Sequence, residues 1–600
     1  MTEYKAQTTD MLFAMNDVLD YPSHYASLPS GADATPDIIH AVLNEYAKLC
    51  ENVIAPINRH GDEEGCTWQE GQVKTPTGYK EAYEQYREGG WPSLSSSIEV
   101  GGQGLPASLS KIVCEMLVSA SPGFALYTAG QSGAIETIAE YGSEQQRALY
   151  ETKLVSGEWN ATMCLTEPHC GTDLGLMKTK AEPQVDGTYK ITGTKIFITG
   201  GEHDLTENIV HIVLARLPDA PQGTKGISLF IVPKFLSDND GNLGQRNLVH
   251  CGSIEKKMGV KASATCVMNF DGATGFLLGT ENEGLKAMFT FMNAARIATA
   301  TQGVSHAEFG YQQSLNYAKE RLQMRALSGV KNPSGPADPI IVHPDVRRML
   351  LTQKAFAEGN RLLNYYLAKQ LDISIESNSE TERLAAKTRL DLLTPIAKAF
   401  STETGYESAN LAMQCFGGHG YIREWGVEQN VRDARIAMLY EGTTGIQALD
   451  LLGRKVLANN AHSLIAYTNE LRAYWSSVNL PESLQPQLNK LLNYIDTWLG
   501  ATHSIGERAK QNMEEVGAAS VSYLMLSGHI LLAHFWLQSA FVAINKQKEN
   551  VEKKDFYLAK IETARFYFDH LLPRCESYLA SINAGADSMM SITEAQLAAW

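Results

Sequence analysis

The feature that most limits what this chain can fold into is a change of apolar period part-way along it. Up to about residue 160 apolar residues recur at helical spacing, and from about 281 they do so again. Between these blocks lie about 110 residues of mainly strand-like pattern. Asp186-Gly187 is a strong turn signal, followed by strand candidates at 188–192 and 195–199. Further candidates lie at 209–215, 227–232 and 265–270. A run of strands set between runs of helix predicts separately packed layers rather than alternating βαβ units.

The helical blocks divide further. Residues 1–36 combine the amphipathic Met11-Leu12-Phe13-Ala14-Met15 with a turn-rich run ending at Pro36, which reads as a docking arm or equally as a frayed tail. Helix is predicted from Asp37, with Ile38, Ile39, Val42, Leu43, Tyr46 and Leu49 near helical spacing, and again over 79–86, 111–119 and 135–149. Gly101-Gly102-Gln103-Gly104 lacks the third glycine and the preceding strand of a dinucleotide loop, so a nicotinamide fold is unsupported. Helix returns over 283–318 and runs into Glu320-Arg321-Leu322-Gln323-Met324-Arg325. Gly329, Pro333, Gly335, Pro336, Pro339 and Pro344 then mark a loop, and two more helices follow, to about 373 and through Ala409. The expected division is an arm at 1–36, a helical domain at 37–160, a β domain at 161–280, a second helical domain at 281–459 and an added helical domain at 460–600.

Composition excludes some functions. With 51 Lys and Arg against 67 Asp and Glu, the formal charge is -16, so no basic field draws nucleic acid in. The 9 Cys form no Cys-x-x-Cys pair and suit free thiols in a reducing compartment. Met1-Thr2-Glu3-Tyr4-Lys5 opens no secretory signal, and Asp10, Asp17 and Asp20 argue against a transit peptide, so the cytoplasm is the expected location. Residues 516–544 contain no Asp, Glu, Lys or Arg and are long enough to span a bilayer. Ser522, Ser527, His529, His534, Gln538 and Ser539 interrupt them, and the reading taken is a buried helix without membrane association.

Four stretches carry possible chemistry. Glu441 follows the mostly apolar Ile436-Ala437-Met438-Leu439-Tyr440 and precedes a helix start, where Thr444 and Gln447 have capping-box spacing. Apolar surroundings disfavour its charge and helix N-terminal amides favour it, which can hold a base ready; on spacing alone an ordinary capping or ion-paired glutamate is the simpler reading. Leu165-Thr166-Glu167-Pro168-His169-Cys170-Gly171-Thr172-Asp173 crowds hydroxyls and turn residues where the two blocks join, apt for a planar cofactor or simply an inter-domain turn. Cys164, His169 and Cys170 lack a second ligand pair, so no metal is expected. Phe197 and Thr199 fall two apart on one strand face, able to cover an aromatic ring and to donate a hydrogen bond. Gln414-Cys415-Phe416-Gly417-Gly418-His419-Gly420-Tyr421 is a flexible turn suited to a pyrophosphate, and Arg321 offers a phosphate clamp.

Together and in this order, Leu-Thr-Glu-Pro, Lys-Ile-Phe-Ile-Thr, Glu-Arg-x-Gln, Gln-x-x-Gly-Gly-x-Gly-Tyr, Arg-Asp-Ala-Arg (432–435) and Tyr-Glu-Gly-Thr (440–443) resemble the acyl-CoA dehydrogenase family over about 37–456. The arm, Gly-Asp-Glu-Glu-Gly-Cys (61–66) and the C-terminal addition resemble its extended branch, which includes 3-methylmercaptopropionyl-CoA dehydrogenases and bacterial fatty acyl-CoA dehydrogenases. The resemblance implies a mainly α chain with a central β-barrel domain, FAD held between helical, β and four-helix domains, and the added helical domain beyond them. It implies that Glu441 removes the α-proton of an acyl-CoA thioester while a hydride passes from the β-carbon to flavin N5, giving a trans-2-enoyl-CoA. Thr166, Thr172, Phe197, Thr199 and Thr443 match flavin-binding positions, and Arg321, Gln323, Gln414 and Gly418 the part that reaches a neighbouring subunit's FAD. Arg296, Thr172, Tyr440, Glu441 and Gly442 match the acyl-CoA site.

Two positions depart from the family pattern: Phe197 stands where many members have Trp, and Gly445 where several have a Gln that touches FAD. The expected partners are the acyl-CoA substrate, electron-transfer flavoprotein as acceptor and a second copy of the chain as homodimer. The expected role is β-oxidation of medium- to long-chain fatty acyl-CoA. A 3-methylmercaptopropionyl-CoA dehydrogenase, an acyl-CoA oxidase or a non-dehydrogenase flavoprotein of the same fold are the alternatives.

Overall fold

A computed structural model describes residues 4–549 and 552–599; Met1, Thr2 and Glu3, part of the stretch read for a leader, lie outside the described residues. Contacts group the chain into two compact units, one built on Pro36–Ala298 and the other on Gln7–Thr35 with Thr299–Trp600. The division falls inside one continuous helix, Gly284–Glu320.

The 36–298 unit is a sheet faced by helices. Its longer helices include Pro36–Leu49, Ala55–Glu64, Tyr79–Glu88, Ala107–Ala120 and Pro122–Tyr141. Pro122 opens the last of these at a position that needs no amide donor, and the Ser121 side chain accepts from the Phe124 amide. Ile38, counted above among the periodic apolar residues, is exposed; Ile39, Leu43 and Tyr46 form the buried stripe.

Hydrogen bonding orders the sheet as Trp159–Cys164, Asn208–Ala215, Ser228–Pro233, Thr265–Leu278, Tyr189–Thr199 and Lys180–Pro183, with Val249–Ile254 also paired to Thr265–Leu278. A parallel bridge between Lys180 and Arg216 returns the far edge towards the end of Asn208–Ala215. Every residue of Asn208–Ala215 and Ser228–Pro233 is buried, which is why these runs read as continuously apolar rather than alternating. One core places Ile138 and Phe291 of the helices against Val210, Ile212 and Ile231; a second holds Ile191, Val213, Phe230 and Phe270. The two strands expected at 188–192 and 195–199 are a single strand, Tyr189–Thr199.

The other unit is helical. Pro344–Glu376 and Glu380–Phe416 lie side by side, and the end of Gly284–Glu320 crosses the second of them through two glycines. A Cβ on Gly303 would sit 2.1 Å from the Ser401 carbonyl oxygen, and one on Gly405 would sit 2.4 Å from that of Gly303. The charge-free run lies within the Glu514–Glu549 helix, which is long and apolar enough to cross a membrane, yet 72% of its most apolar window is buried inside this unit. Its polar groups are used there. Trp536 donates to the Ala355 carbonyl (3.0 Å), Ser527 donates to the Tyr523 carbonyl (2.7 Å), and His534 Nδ1 accepts from Trp475 (3.1 Å). A Cβ on Gly528 would lie 2.2 Å from the Phe400 ring.

The N-terminal arm is docked on this unit. The Tyr21 phenol donates to the Tyr365 carbonyl (2.8 Å), and His24 Nε2 meets Asp372 (3.0 Å). Asp10 is buried between Arg361 and Lys560, pairing with both. Arg361 also pairs with Glu308 at 2.8 Å and Lys560 with Glu358 at 2.8 Å, while Lys354 pairs with Glu358. Burial alone would push the Asp10 carboxyl up, but Lys560, Arg361 and Lys354 together hold it far below the carboxylate range.

Removing one member of this network leaves buried charge uncompensated. Asp10→Asn is therefore expected to lower the unfolding free energy in urea by about 3–5 kcal/mol. Because the folded carboxyl is depressed, its stabilisation is present above about pH 4 and is lost as pH falls further. Wild-type stability should thus fall more steeply than that of Asp10→Asn below that pH. Parallel acid limbs would remove Asp10 from the account.

Candidate active site

Glu441 sits in the short loop between the 3₁₀ turn Arg435–Met438 and the helix Thr444–Leu449. It is half-buried, with φ of 55°, and Gly442 follows at 85°. A glutamate in left-handed backbone costs about 1–2 kcal/mol, so neighbouring groups must impose it. Gln447 Nε2 donates to the Glu441 carbonyl (2.9 Å), and Lys398 Nζ to the Gly442 carbonyl (2.7 Å). The Tyr440 phenol donates to Gln302 Oε1 (2.5 Å), and Thr444 Oγ1 to Glu403 (2.6 Å). Burial, together with the neighbouring Glu441 charge, pushes the Tyr440 phenol up, so it stays a donor at any ordinary pH.

The expected capping box is not formed. Thr443 is the N-cap, its hydroxyl accepting from the Ile446 amide (3.3 Å). Gln447 instead turns back to Glu441, because the left-handed pair brings that carbonyl within its reach. Thr443, expected at the flavin, is exposed.

In the 36–298 unit, Phe197 is 60% exposed and has φ of 59°. Pairing with Thr265–Leu278 slips here: Ile198 faces Cys266 but Lys195 faces Met268, so Ile196 and Phe197 together oppose Val267. Simple alternation is broken by this bulge, yet Phe197 and half-buried Thr199 still flank buried Ile198. The Ile196 amide donates to the Thr166 carbonyl (2.9 Å), which brings the 165–173 loop alongside the bulge. Thr166 is half-buried and Thr172 exposed. Arg296, on the Gly284–Glu320 helix, is buried in the same unit.

Glu167, quoted in the sequence motif but given no role, organises the loop. It accepts from the Lys178 and Thr179 amides (2.8 and 3.0 Å), from the Thr179 hydroxyl (2.5 Å) and from Lys195 Nζ (2.9 Å). Burial raises its carboxyl, but Lys195 and these donors outweigh that and hold it below its usual value. Burial pulls the Lys195 ammonium down in spite of Glu167. Possible ligand atoms of Glu167, His169 and Cys170 lie within 4.8 Å of one another, with the Lys195 ammonium on Glu167 Oε1 and His169 Nε2 3.5 Å from Oε2. The sequence signal that was available is a lysine directly before the apolar Ile196-Phe197-Ile198.

Arg321, Gln323, Gln414 and Gly418 are all exposed, and the structure gathers them at one end of the helical unit. Tyr317, one turn before Arg321, stacks on Phe416 at 4.1 Å and hydrogen-bonds His419 Nδ1 at 2.9 Å. A Cβ on Gly417 or Gly418 would meet nothing within 4 Å, leaving the backbone open to close approach. The loop after Arg321 is set by buried Asp338, which accepts from the Ala326, Lys331 and Asn332 amides and from Arg325.

The 36–298 unit therefore presents an exposed aromatic face in a costly backbone conformation beside two half-buried threonines, and the helical unit an open glycine turn near an arginine. These groups fit a flavin ring and a pyrophosphate respectively. Profiles of the acyl-CoA dehydrogenase N-terminal, middle and C-terminal domains match residues 39–158, 162–273 and 282–457, and one described as acetyl-CoA dehydrogenase C-terminal like matches 463–593. The chain is 42% identical to 3-methylmercaptopropionyl-CoA dehydrogenase of Ruegeria pomeroyi, covering 98% of this chain and 99% of that protein. The chain belongs to the acyl-CoA dehydrogenase family.

A second relative, the broad-specificity linear acyl-CoA dehydrogenase FadE5 of Mycobacterium tuberculosis, is 32% identical over 99% of this chain and 100% of its own length. Among solved structures, Caenorhabditis elegans ACDH-11 in complex with C11-CoA shares the fold, with a TM-score of 0.74 and 18% identity over 98% of this chain and 97% of that one. As an acyl-CoA dehydrogenase this protein is an FAD-dependent oxidoreductase.

Glu167→Gln leaves the Lys195 ammonium buried beside a neutral amide, and should cost about 3 kcal/mol of stability and weaken FAD retention on gel filtration. Adding Lys195→Met should recover most of that stability. A single variant as stable as wild type would show that the pair does not hold the loop.

Proposed function

We propose that this acyl-CoA dehydrogenase removes the elements of hydrogen from Cα and Cβ of a short linear acyl-CoA, with Glu441 as the base. The observation that carries the role of Glu441 is its placement. It is the half-buried carboxylate in the loop of the helical unit whose backbone is pinned by Lys398 and Gln447. A base must stand at fixed distance from a poorly acidic α-proton, and a strained, pinned loop supplies that fixity. Hydrogen bonds to the thioester carbonyl lower the cost of the enolate-like charge that develops as the proton leaves. Phe197 covers the ring face without the indole donor of Trp, and Thr199 and Thr166 are the hydroxyls we assign to the ring edge. When bound, FAD supplies the acceptor for the hydride from Cβ, and the product is the trans-2-enoyl thioester. Thr172, Arg296, Tyr440 and Gly442 are assigned to the acyl-CoA.

The extent of likeness to 3-methylmercaptopropionyl-CoA dehydrogenase, over nearly the whole of both chains, favours a short acyl group over the medium- to long-chain group expected from the sequence. Electron-transfer flavoprotein is the proposed acceptor. Arg321, Gln323, Gln414 and Gly418, exposed together, are assigned to the FAD of a second copy in a homodimer.

The test is anaerobic titration of the yellow protein with 3-methylmercaptopropionyl-CoA, butyryl-CoA and longer saturated acyl-CoAs. Bleaching of the flavin band is expected with the short substrates first, and bleaching only by long chains would restore the medium- to long-chain reading. Glu441→Gln should keep its FAD and bind product, yet reduce flavin about 100- to 10,000-fold more slowly. A variant that bleaches at the wild-type rate would move the base elsewhere, and a wild type that no acyl-CoA bleaches would end the dehydrogenase assignment.

A further inference from the structure

We infer that Lys398 and Gln447 are positioning residues for the proton-abstraction step, holding Glu441 by two successive peptide carbonyls. This rests on Glu441 being the base, and deepens that reading. Both side chains are fully buried, Lys398 in the Glu380–Phe416 helix and Gln447 in Thr444–Leu449, so the loop is gripped from two separate helices. Lys398 takes the Gly442 oxygen at 2.7 Å and Gln447 that of Glu441 at 2.9 Å. With both oxygens tied inward, the peptide between the two residues cannot rotate, and φ of Glu441 stays at 55°.

Gln447 is not well explained by stability alone. The Gln447 side-chain oxygen is buried and finds no hydrogen-bond partner, a state that costs free energy and that a leucine in its place would avoid. Lys398 and Gln447 each donate to a carbonyl of one strained loop. A Cβ on Gly442 would lie 2.6 Å from Gln447 Nε2, so the glycine and the glutamine fit each other as a pair.

The experiment compares Lys398→Met, Gln447→Met and Lys398→Arg with wild type. The readouts are crystal structures, FAD content, product affinity and the rate of anaerobic flavin reduction. Both methionine variants are expected to keep FAD, to bind enoyl-CoA within about twofold of wild type, and to reduce flavin about 100-fold more slowly, the loss a displacement near 1 Å brings. Their crystal structures should show residue 441 out of the left-handed region. Lys398→Arg, which keeps a cationic donor, should recover most of the rate. Retention of left-handed Glu441 and of the wild-type rate in both methionine variants would overturn the inference. If Lys398→Met fails to fold, Gln447→Met decides alone. If wild type itself is not reduced by any acyl-CoA, the dehydrogenase reading fails, and the backbone at 441 in the variants still decides whether these residues set it.

Discussion

The helical unit depends on the buried charges gathered around Arg361. This side chain meets Asp10 from the N-terminal arm and Glu308 from the Gly284–Glu320 helix, while Lys560 from beyond residue 550 shares Asp10 and reaches Glu358. Three cations, counting Lys354, face three carboxylates, so the cluster is neutral as a whole though each member is costly alone. Such a network is poor as a source of stability compared with well-packed apolar side chains. It is strict about geometry, because any segment left out strands a charge. The arm, two family helices and the C-terminal addition are therefore held in one arrangement by the same few atoms.

The C-terminal addition, in consequence, is part of the core that carries Glu441. The Glu514–Glu549 helix lies against the Thr444–Leu449 helix and the Asp450–Val456 segment after it, where Val516 Cγ1 is 3.8 Å from where a Cβ on Gly453 would stand. It also packs on the two long helices: Trp536 caps the Ala355 carbonyl and Gly528 admits the Phe400 ring, two residues from Lys398. A helix buried along most of its length has little solvent face to carry charge, in keeping with the composition of 516–544.

What was legible in the sequence follows from what is local. The change of period located the sheet, the Pro- and Gly-rich loop after Arg321 stands where expected, and motifs in a fixed order gave the family. What was missed depends on partners distant in sequence. Thr444 and Gln447 have capping-box spacing, but Gln447 is drawn away by a carbonyl that only the left-handed turn at Glu441 and Gly442 presents. The strands at 188–192 and 195–199 merged into one because the partner strand is long enough to span both, a fact no window of either contains. Ile38 satisfied the helical period and still faces water, since period fixes a stripe only to within a residue. Lys195 and Lys398 were given no role from the sequence, and each is a buried donor.

These two lysines share a logic. Each lies near a non-glycine residue held at positive φ, Phe197 in one unit and Glu441 in the other. Lys195, two residues before Phe197, fixes the 165–173 loop through Glu167 and the Leu165 carbonyl (3.0 Å). Lys398 fixes the carbonyl after Glu441. An ammonium carries three donors on a flexible stem and can gather oxygens that no regular hydrogen-bonding ladder would bring together. A backbone strained by about 1–2 kcal/mol per residue persists only where such contacts over-determine it. In both units regular structure is interrupted at a non-glycine residue of positive φ, Phe197 and Glu441, and a buried lysine donates to a carbonyl of the chain beside the interruption.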